Sequence, residues 1–531
     1  MKNYIKLIAT LVLVLCITTI KAQDIDKQDI SVLYVGYSSE KPMPENLESS
    51  RISGGMTPER FKEEYGKRMP AFEELLNKYF TKVTSVDARD YNEEMSKAHD
   101  VTIFDQAPDM IKDRVIHNDP ETGKFISMEP AKFVSDDFDS PSVFIGHTSS
   151  VIGASLGSKL DWYCLCLDRH AHHIKTEHAI FKGPYKTDIT LEKKATPKGV
   201  LKAFDGQDVP EEIPMWEVNS EGYKDGKGFR VGMVARGWGF EDSPHSEIIS
   251  SGVCTKQKTA VALGRHGNFF LWGFAGSPDY MTEEAKRVFV NAIVYTHEHA
   301  DDKMIVRKYN ERIATKQYID EMIFYTTEKS YLSYVEFLKD FNENSLKEKE
   351  KLKEKKASGK DLTQVEKMIL NSRPQEILTR EGYLKKNIGR NSWSSITGLD
   401  TLAIRKYLNE NRDYFYSEPD AFYEIKVDED VKSLGVANTN IAVLDKAITM
   451  LEDNADADKA YRILMRYTLE DFKTAKEWRT WFNTYRDKLF FTEVGGYVWM
   501  VNDKNANPRV RPRSESDIAL KESKRQHNSK I

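Results

Sequence analysis

The chain has 531 residues, of which 40% are hydrophobic and 30% charged, so it is too long for one ordinary core and has the composition of a folded protein. Its formal net charge of −5 provides no basic surplus to neutralise phosphate groups, which argues against a nucleic-acid-binding protein. After one N-terminal run, no apolar stretch is long enough to cross a bilayer, so we expect no transmembrane segment in the mature chain.

The first residues have the layout of a secretory signal peptide. Lys2 and Lys6 form a short positive segment, and the apolar run of residues 7–20 is shorter than the roughly 20 residues of a membrane-spanning helix. Ala22 then supplies the small residue of a cleavage site. We therefore expect residues 1–22 to be removed, and the mature chain to be periplasmic or extracellular.

Three cysteines remain in the mature chain, at positions 164, 166 and 254. An odd number is not typical of a disulfide framework. Cys164 and Cys166 are two residues apart in an apolar run, so their side chains are expected on one face of a strand. We interpret the cysteines as small buried hydrophobic side chains.

Residues 23–300 alternate short β-rich runs with helical segments, which is the pattern of an α/β domain with a largely parallel sheet. Thr57 and Pro58 begin one helix in N-cap and N1 order. Thr282 precedes acidic residues at the start of a second helix, which closes the domain. The predicted strands are 31–37, 83–86, 101–104, 142–145, 162–167, 229–235, 260–263 and 269–274.

Residues 301–504 change to successive amphipathic helices with few strands. Apolar stripes with helical spacing lie at 441–451, 460–467 and 472–485. Paired helices at a period of about 40 residues predict an all-α, HEAT-like domain, which is suited to binding a protein partner. The lysine- and glutamate-rich run from Ser345 to Lys360 predicts a solvated helix and a turn, and residues 505–531 predict a disordered tail.

Two segments of the first domain are similar to segments of a known family. GNFFLWGFAGSPDYMTEEAKRVFVNAIVYTHEH, from Gly267 to His299, has the order strand, loop, helix, and EHAIFKGPYKTD, from Glu177 to Asp188, forms a turn before a variable loop. Both resemble the trehalose-utilisation (ThuA-like) family of the class I glutamine amidotransferase-like superfamily. The resemblance covers roughly residues 30–300. It implies a flavodoxin-like parallel sheet with flanking helices, and a role in carbohydrate metabolism.

The superfamily carries a nucleophilic cysteine on a tight turn after a strand, where a His and a Glu activate it. The corresponding turn here, Gly146 to Ser150, contains no cysteine, and the two cysteines of the apolar run lie inside a predicted strand. Where the ThuA-like family has a Gly-His pair after its final strand, this chain has Phe274-Ala275-Gly276. We therefore expect no Cys-His-Glu triad. Ser149 and Ser150 lack the paired glycines of a serine-hydrolase elbow, and we interpret them as satisfying backbone groups.

Three histidines that follow a predicted strand are candidate metal ligands: His170, His172 and His173. In an extended segment, His170 and His172 face the same side, and nearby oxygen ligands would complete a set suited to zinc. A divalent metal is therefore the one cofactor that the sequence suggests. No HExxH or CxxC spacing accompanies them, so the alternative interpretation is hydrogen-bonded or surface histidines.

Four further residues are candidate substrate-binding residues. Arg265 and His266 lie in a polar segment between two apolar strands, where the guanidinium would bind a carboxylate or a hydroxyl pair. The alternative is a hairpin turn with its Gly and Asn at positive φ. His147 lies on the turn after a predicted strand. Trp238, between two glycines, offers a ring for a sugar face, with a core or lid position as the alternative.

Two functions remain open from the sequence. In the first, an exported ThuA-like protein binds or hydrolyses a carbohydrate in a crevice near His147, His170, His172 and Arg265. In the second, a non-catalytic envelope scaffold or interaction protein carries a degenerate amidotransferase-like domain, and its helices form the interface. They differ in whether the four side chains meet in one pocket.

Overall fold

The computed structural model describes residues 25–47, 56–118, 120–123, 125–197, 200, 209–221, 231–254, 259–308, 313–362, 364–388, 396, 398–417, 423 and 425–503. The predicted signal peptide, 1–22, and the predicted disordered tail, 505–531, lie outside these ranges. Within them, no helix combines the length and the apolar character that crossing a membrane requires.

A 12-stranded mixed sheet forms the centre of the N-terminal part. The strands of this part are β1 (Gln28–Gly36), β2 (Phe80–Asp87), β3 (Val101–Phe104), β4 (Val115–Asn118), β5 (Phe125–Glu129), β6 (Ser142–Ile145), β7 (Trp162–Leu167), β8 (His170–His172), β9 (Leu191–Ala195), β10 (Glu212–Glu217), β11 (Gly232–Ala235), β12 (Ser246–Gly252), β13 (Val261–His266) and β14 (Phe269–Trp272). All but β4 and β5, which form a separate antiparallel pair, belong to the large sheet.

One half of the sheet is parallel, in the order β2-β1-β3-β6-β14. Its central strands β3, β6 and β14 consist of buried, mostly apolar residues, as expected for strands covered on both faces. The helices of this part are α1 (Pro58–Tyr79), α2 (Glu93–Lys97), α3 (Ala154–Leu156), α4 (Ala179–Lys182) and α5 (Glu283–Glu298). The two predicted caps are confirmed, because Thr57 and Thr282 each accept a hydrogen bond from the backbone N–H three residues on.

The other half of the sheet is antiparallel, so the prediction of a largely parallel sheet was wrong there. β13 pairs with β14, and the sheet continues through β12, β8, β10 and β9, while β11 pairs with β13 and β7. The reason is the β13–β14 hairpin, in which Gly267 has a φ of +63° and the chain reverses without a crossover helix. The hairpin interpretation of this segment is thus confirmed, although Arg265 and His266 lie in β13 itself.

The C-terminal part is mainly helical, and its predicted apolar stripes are confirmed. Its helices are α6 (Lys316–Tyr325), α7 (Glu328–Ala357), α8 (Gln364–Asn371), α9 (Arg380–Asn387), α10 (Thr401–Asn411), α11 (Glu429–Ser433), α12 (Ala442–Glu452), α13 (Ala457–Tyr467) and α14 (Ala475–Tyr485). α12, α13 and α14 share one core, in which Ile448, Ile463 and Trp478 are fully buried. The lysine-rich run forms the end of α7 and a turn at Gly359, as predicted.

The C-terminal part also contains strands, which corrects the prediction of an all-α domain. They are β15 (Phe415–Tyr416), β16 (Lys426–Val427), β17 (Leu489–Thr492) and β18 (Val498–Val501), paired antiparallel as β15–β16 and β17–β18. The chain reverses between β17 and β18 at Gly496, whose φ is +110°. Short runs of this length carry little periodicity, so the helical stripes around them dominated the sequence pattern.

The cysteine prediction was wrong for two of the three residues. Cys164 and Cys166 form a disulfide within β7. Residues i and i+2 of a strand face the same side, so the two sulfurs can meet. Their Cα atoms are 5.4 Å apart, inside the range that a disulfide spans. Cys254 is buried, as predicted.

Candidate functional site

The turn after β6, residues 146–150, is tight and contains no cysteine. Gly146 has a left-handed φ of +53°, and a Cβ added there would lie 3.3 Å from the Cβ of Ala275. The two serines that follow bond to the backbone, because Ser149 Oγ donates to the carbonyl of Leu160 at 2.5 Å and Ser150 Oγ to that of His147 at 2.8 Å. The interpretation of these serines as satisfying backbone groups is confirmed.

An ion pair closes the same edge of the sheet after β3. Arg68 of α1 donates to both carboxylate oxygens of Asp105, at 2.8 and 2.6 Å, and Tyr34 Oη donates to the same carboxylate at 2.8 Å. The side chains of Arg68 and Asp105 are only 2% and 0% exposed. Burial alone would lower the pKa of Arg68, but Asp105 raises it above its ordinary value. The pair is therefore a structural group and not a site open to substrate.

The structure does not bring the four predicted crevice residues together. β8, which holds His170 and His172, is separated from β6 by β14, β13 and β12. At about 4.8 Å per strand this is about 19 Å from the turn that carries His147. Arg265 pairs with Phe270 near the start of β14, toward the opposite edge of the parallel strands from His147.

Arg265 is an internal ion-pair residue. Its Nε donates to Glu247 at 2.6 Å, and its Nη1 donates to Asp302 and to the carbonyl of Gly267, both at 3.0 Å. Burial would raise the pKa of Glu247, but hydrogen bonds from His178, Tyr295 and Arg265 hold it far below its usual range. Arg265 thus joins β13 to the segment that follows α5.

His266 is a buried acceptor within the fold. It is 0% exposed, and its Nδ1 accepts the backbone N–H of Lys159 at 3.1 Å. Burial lowers its pKa well below the ordinary value, and the nearby charge of Lys159 lowers it further. A neutral imidazole with Nδ1 as acceptor is the result.

The histidines after β7 also bond to one another. His172 is 1% exposed, and its Nδ1 lies 2.7 Å from the Nδ1 of the exposed His173, whose φ is +49°. Burial lowers the pKa of His172 to about 3, and His173 adds to this effect. Among the described ranges, no group of three or more His, Cys, Asp or Glu side chains is arranged to hold a metal ion. The zinc site at His170, His172 and His173 stays a prediction.

A cleft lies where the sheet part meets the helical part, and we name it the junction cleft. It is small and partly open to solvent, and it is lined by Lys159, Arg236, Trp238, Lys308, Ile313, Thr315 and Val494. Trp238 is 9% exposed and packs edge-on against Tyr318 of α6, with ring centres 5.6 Å apart. Trp238 therefore has the core position that was its alternative, since it belongs to the buried apolar cluster of the helical part, and it also lines this cleft.

The glycines beside Trp238 explain how the ring reaches this place. A Cβ at Gly237 would collide with the carbonyl of Thr259, and a Cβ at Gly239 would collide with the Val494 side chain. Gly239 also has a φ of +63°. The segment thus passes closely between the sheet and the C-terminal hairpin only because both residues are glycine.

Arg236 is held between two aromatic rings. Its guanidinium carbon lies 5.3 Å from the centre of Trp238 and 5.4 Å from that of Tyr423. Arg236 also donates a hydrogen bond to the Tyr423 hydroxyl. The rings of Tyr423 and Tyr318 stack at 5.0 Å, so the sheet part and α6 position this arginine together.

Lys159 and Asp242 connect the wall of the cleft to the C-terminal hairpin. Lys159 Nζ donates to Asp242 at 2.5 Å, to Ser243 Oγ at 2.6 Å and to a backbone carbonyl at 3.0 Å. Asp242 also accepts the backbone N–H groups of Glu493 at 2.8 Å and Val494 at 3.0 Å. One carboxylate therefore fastens the β17–β18 loop to the sheet part.

A partly buried carboxyl in this loop, that of Glu493, makes stability depend on pH. Burial raises the pKa of Glu493 from 4.5 to about 7 and lowers that of Lys316 to about 8. Between about pH 4.5 and 7 the folded chain holds the Glu493 proton and the unfolded chain does not, so the free energy of unfolding falls as pH rises. The fall amounts to at most about 3 kcal/mol, and Lys316 adds the opposite slope only above about pH 8.

Glu493→Gln is expected to remove most of this fall, because glutamine does not titrate and still accepts the backbone N–H of Lys316, now at 2.8 Å. Urea unfolding of wild type and variant at about pH 5 and about pH 7.5 measures it. An equal fall in both proteins would contradict the placement of a protonated carboxyl at the junction.

Sequence reasoning found Trp238 but missed its neighbours in the cleft. Lys159, Lys308 and Thr315 stand in unrelated segments and carry no motif, so only the packing of the two parts shows them together. A usable signal was the glycine on each side of Trp238, which indicates a close backbone approach. Comparison of the chain with family models, with curated proteins and with solved structures finds no match.

Proposed function

We propose that this chain is an exported carbohydrate-binding protein whose ligand occupies the junction cleft. The observation that carries the proposal is the lining of the cleft, in which Trp238 stands beside the polar side chains of Arg236, Lys308 and Thr315. A concave surface with an aromatic wall and a few convergent polar groups is the usual form of a small-ligand site. The exposed part of the ring supplies apolar contact for a sugar, and the polar groups supply hydrogen bonds for its hydroxyls.

The proposal also includes export from the cell and a relationship to the ThuA-like family. The N-terminal pattern of residues 1–22 supports a cleaved signal peptide and a periplasmic or extracellular protein. The order β2-β1-β3-β6-β14 supports a flavodoxin-like half sheet, since 2-1-3-4-5 is the order of that class, and it is consistent with the ThuA-like resemblance. The turn from Gly146 to Ser150, in the place of the superfamily's nucleophile, contains no cysteine, which favours binding over hydrolysis.

Trp238→Ala is expected to weaken sugar binding about tenfold, because it removes the aromatic wall. Calorimetric titration of the mature protein with a panel of mono- and disaccharides finds the ligand, and the variant is then titrated with it. Trp238→Phe keeps a ring and should retain most of the affinity, while circular dichroism checks that both variants fold. Equal affinity of Trp238→Ala and wild type would place the ligand elsewhere, and no binding by the wild type would overturn the proposal.

The second candidate is an envelope scaffold that binds a protein through its helical part. It is favoured by exposed apolar side chains, since Phe337 and Phe341 of α7 are 42% and 48% exposed, and Leu402 of α10 is 72% exposed. The HEAT-like stacking of these helices belongs to this proposal. Two results together would favour the scaffold. The wild-type protein would bind no sugar, and it would form a stable complex with a protein partner that the Phe341→Ser variant does not form.

A further inference from the structure

We propose that the disulfide between Cys164 and Cys166 is a redox-active site, which accepts two electrons from a dithiol through attack on the sulfur of Cys164. The disulfide lies within β7, and the residues that line the junction cleft include neither cysteine. The inference is therefore independent of carbohydrate binding and adds a second site to the sheet part.

The first argument is that this disulfide does little as a cross-link. Only Leu165 lies between the two cysteines, and both belong to one strand, so the bond joins no separate elements of the fold. A disulfide stabilises a protein by restricting the unfolded chain, and this effect grows with the length of the closed loop. A loop with one intervening residue lies at the low end of that scale, which favours a chemical role over a structural one.

The second argument is the position of the bond at an edge of the sheet. Among the strands that the structure describes, β7 pairs with β11 alone, and the register of this pairing skips Cys166 and Tyr163. Cys166 is 7% exposed inside the apolar core cluster, whereas Cys164 is partly buried at the margin of the same cluster. A thiolate from solution therefore reaches the sulfur of Cys164 first.

The third argument is that the fold also accommodates the reduced pair. The surrounding cluster is apolar and contains Leu167 and Val234, and a neutral thiol packs there as a small hydrophobic group. In a regular strand, Cα atoms two residues apart are separated by about 6.6 Å. The disulfide holds them at 5.4 Å, so reduction lets β7 extend toward regular pairing with β11. A disulfide whose reduced form is well accommodated is the better oxidant.

The proposed reaction is a complete thiol–disulfide exchange. A thiolate of the dithiol attacks the Cys164 sulfur and forms a mixed disulfide, and Cys166 leaves with the electron pair and takes up a proton. The second thiolate of the dithiol then attacks the sulfur of its own molecule in the mixed disulfide, so Cys164 leaves and takes up a second proton. The dithiol is oxidised to a disulfide by two electrons, and the protein pair is reduced to two thiols.

Reduction by dithiothreitol in native buffer tests the site. The full chain with Cys254→Ser, which leaves only the pair to react, is reduced without urea and in about 1 M urea. Alkylation and mass spectrometry of the peptide that contains 162–167 then give the rate. We expect a rate that is proportional to dithiothreitol concentration and changes less than about twofold with urea. A disulfide reached only through unfolding would react at least about fivefold faster in the urea. That acceleration, resistance to dithiothreitol, or two thiols in the aerobically purified protein would overturn the proposal.

A matched pair of variants tests which sulfur is attacked. In the Cys254→Ser background, Cys166→Ser leaves Cys164 as the reacting thiol, and Cys164→Ser leaves Cys166. Oxidised glutathione should modify Cys164 at least about tenfold faster than Cys166, because access controls the exchange rate. Circular dichroism checks that both variants fold. Equal rates, or faster modification of Cys166, would contradict the assignment of Cys164 as the attacked residue.

Discussion

Asp105→Asn is expected to lower the free energy of unfolding by about 3–5 kcal/mol, because it leaves the guanidinium of Arg68 buried without a counter-charge. Arg68 donates to both oxygens of Asp105, and these side chains are 2% and 0% exposed. Tyr34 would keep an acceptor in the asparagine, so the loss comes from the charge and not from the hydroxyl bond. Urea unfolding followed by circular dichroism measures the change.

Two controls separate charge from geometry. Asp90→Asn removes a 55% exposed carboxylate that pairs with Lys41 and should cost less than about 1 kcal/mol. Combining Asp105→Asn with Arg68→Met removes both charges, and this double variant should be more stable than Asp105→Asn alone. A loss below about 1 kcal/mol for Asp105→Asn would mean that water reaches this pair and that the edge after β3 is open.

Asp242→Ala should detach the C-terminal hairpin from the sheet part and lower the free energy of unfolding by about 3–5 kcal/mol. The change leaves Lys159 Nζ, which is 2% exposed, without its carboxylate. It also removes the acceptor for the N–H groups of Glu493 and Val494 and for the Thr492 hydroxyl. Unpaired buried donors and an uncompensated ammonium both oppose docking of the β17–β18 loop.

Urea unfolding and limited proteolysis measure this second prediction, since a detached hairpin is cut within 489–501 before the sheet part unfolds. Asp471→Ala, at a 65% exposed carboxylate near Lys473, is the control and should change stability by less than about 0.5 kcal/mol. A proteolysis pattern identical to wild type would show that the hairpin is held by its apolar contacts and not by Asp242.

The parallel half of the sheet could be predicted because its strands are apolar runs that are buried on both faces. The antiparallel half could not, because its outer strands lack that pattern. β9 reads LEKKA and is mostly exposed, and β10 contains Pro214, which the sequence rules assign to edges or loops. β8 has only three residues, His170–His172, and its histidines were interpreted as metal ligands and not as strand residues.

Of the residues that line the candidate site, only the aromatic one could be predicted from the sequence. Trp238 stands between glycines in the sequence, and the structure places it in the cleft. The cations Lys159 and Lys308 have no local signature, because their position depends on how the sheet part and the helical part pack together. Arg265 was predicted to bind substrate because its guanidinium lies in a polar segment. In the structure it instead donates hydrogen bonds to Glu247 and Asp302 within the fold.

Hydrogen exchange of the protein, with and without a saturating concentration of the sugar found by titration, tests the central claim, that the ligand binds where the sheet part and the helical part meet. We expect slower exchange in the segments around Trp238, Thr315 and Val494, which line the cleft from three separate stretches of the chain. Slower exchange confined to the turns after β6 and β14, at 146–150 and 273–277, would contradict the claim by placing the ligand at the carboxyl edge of the parallel strands.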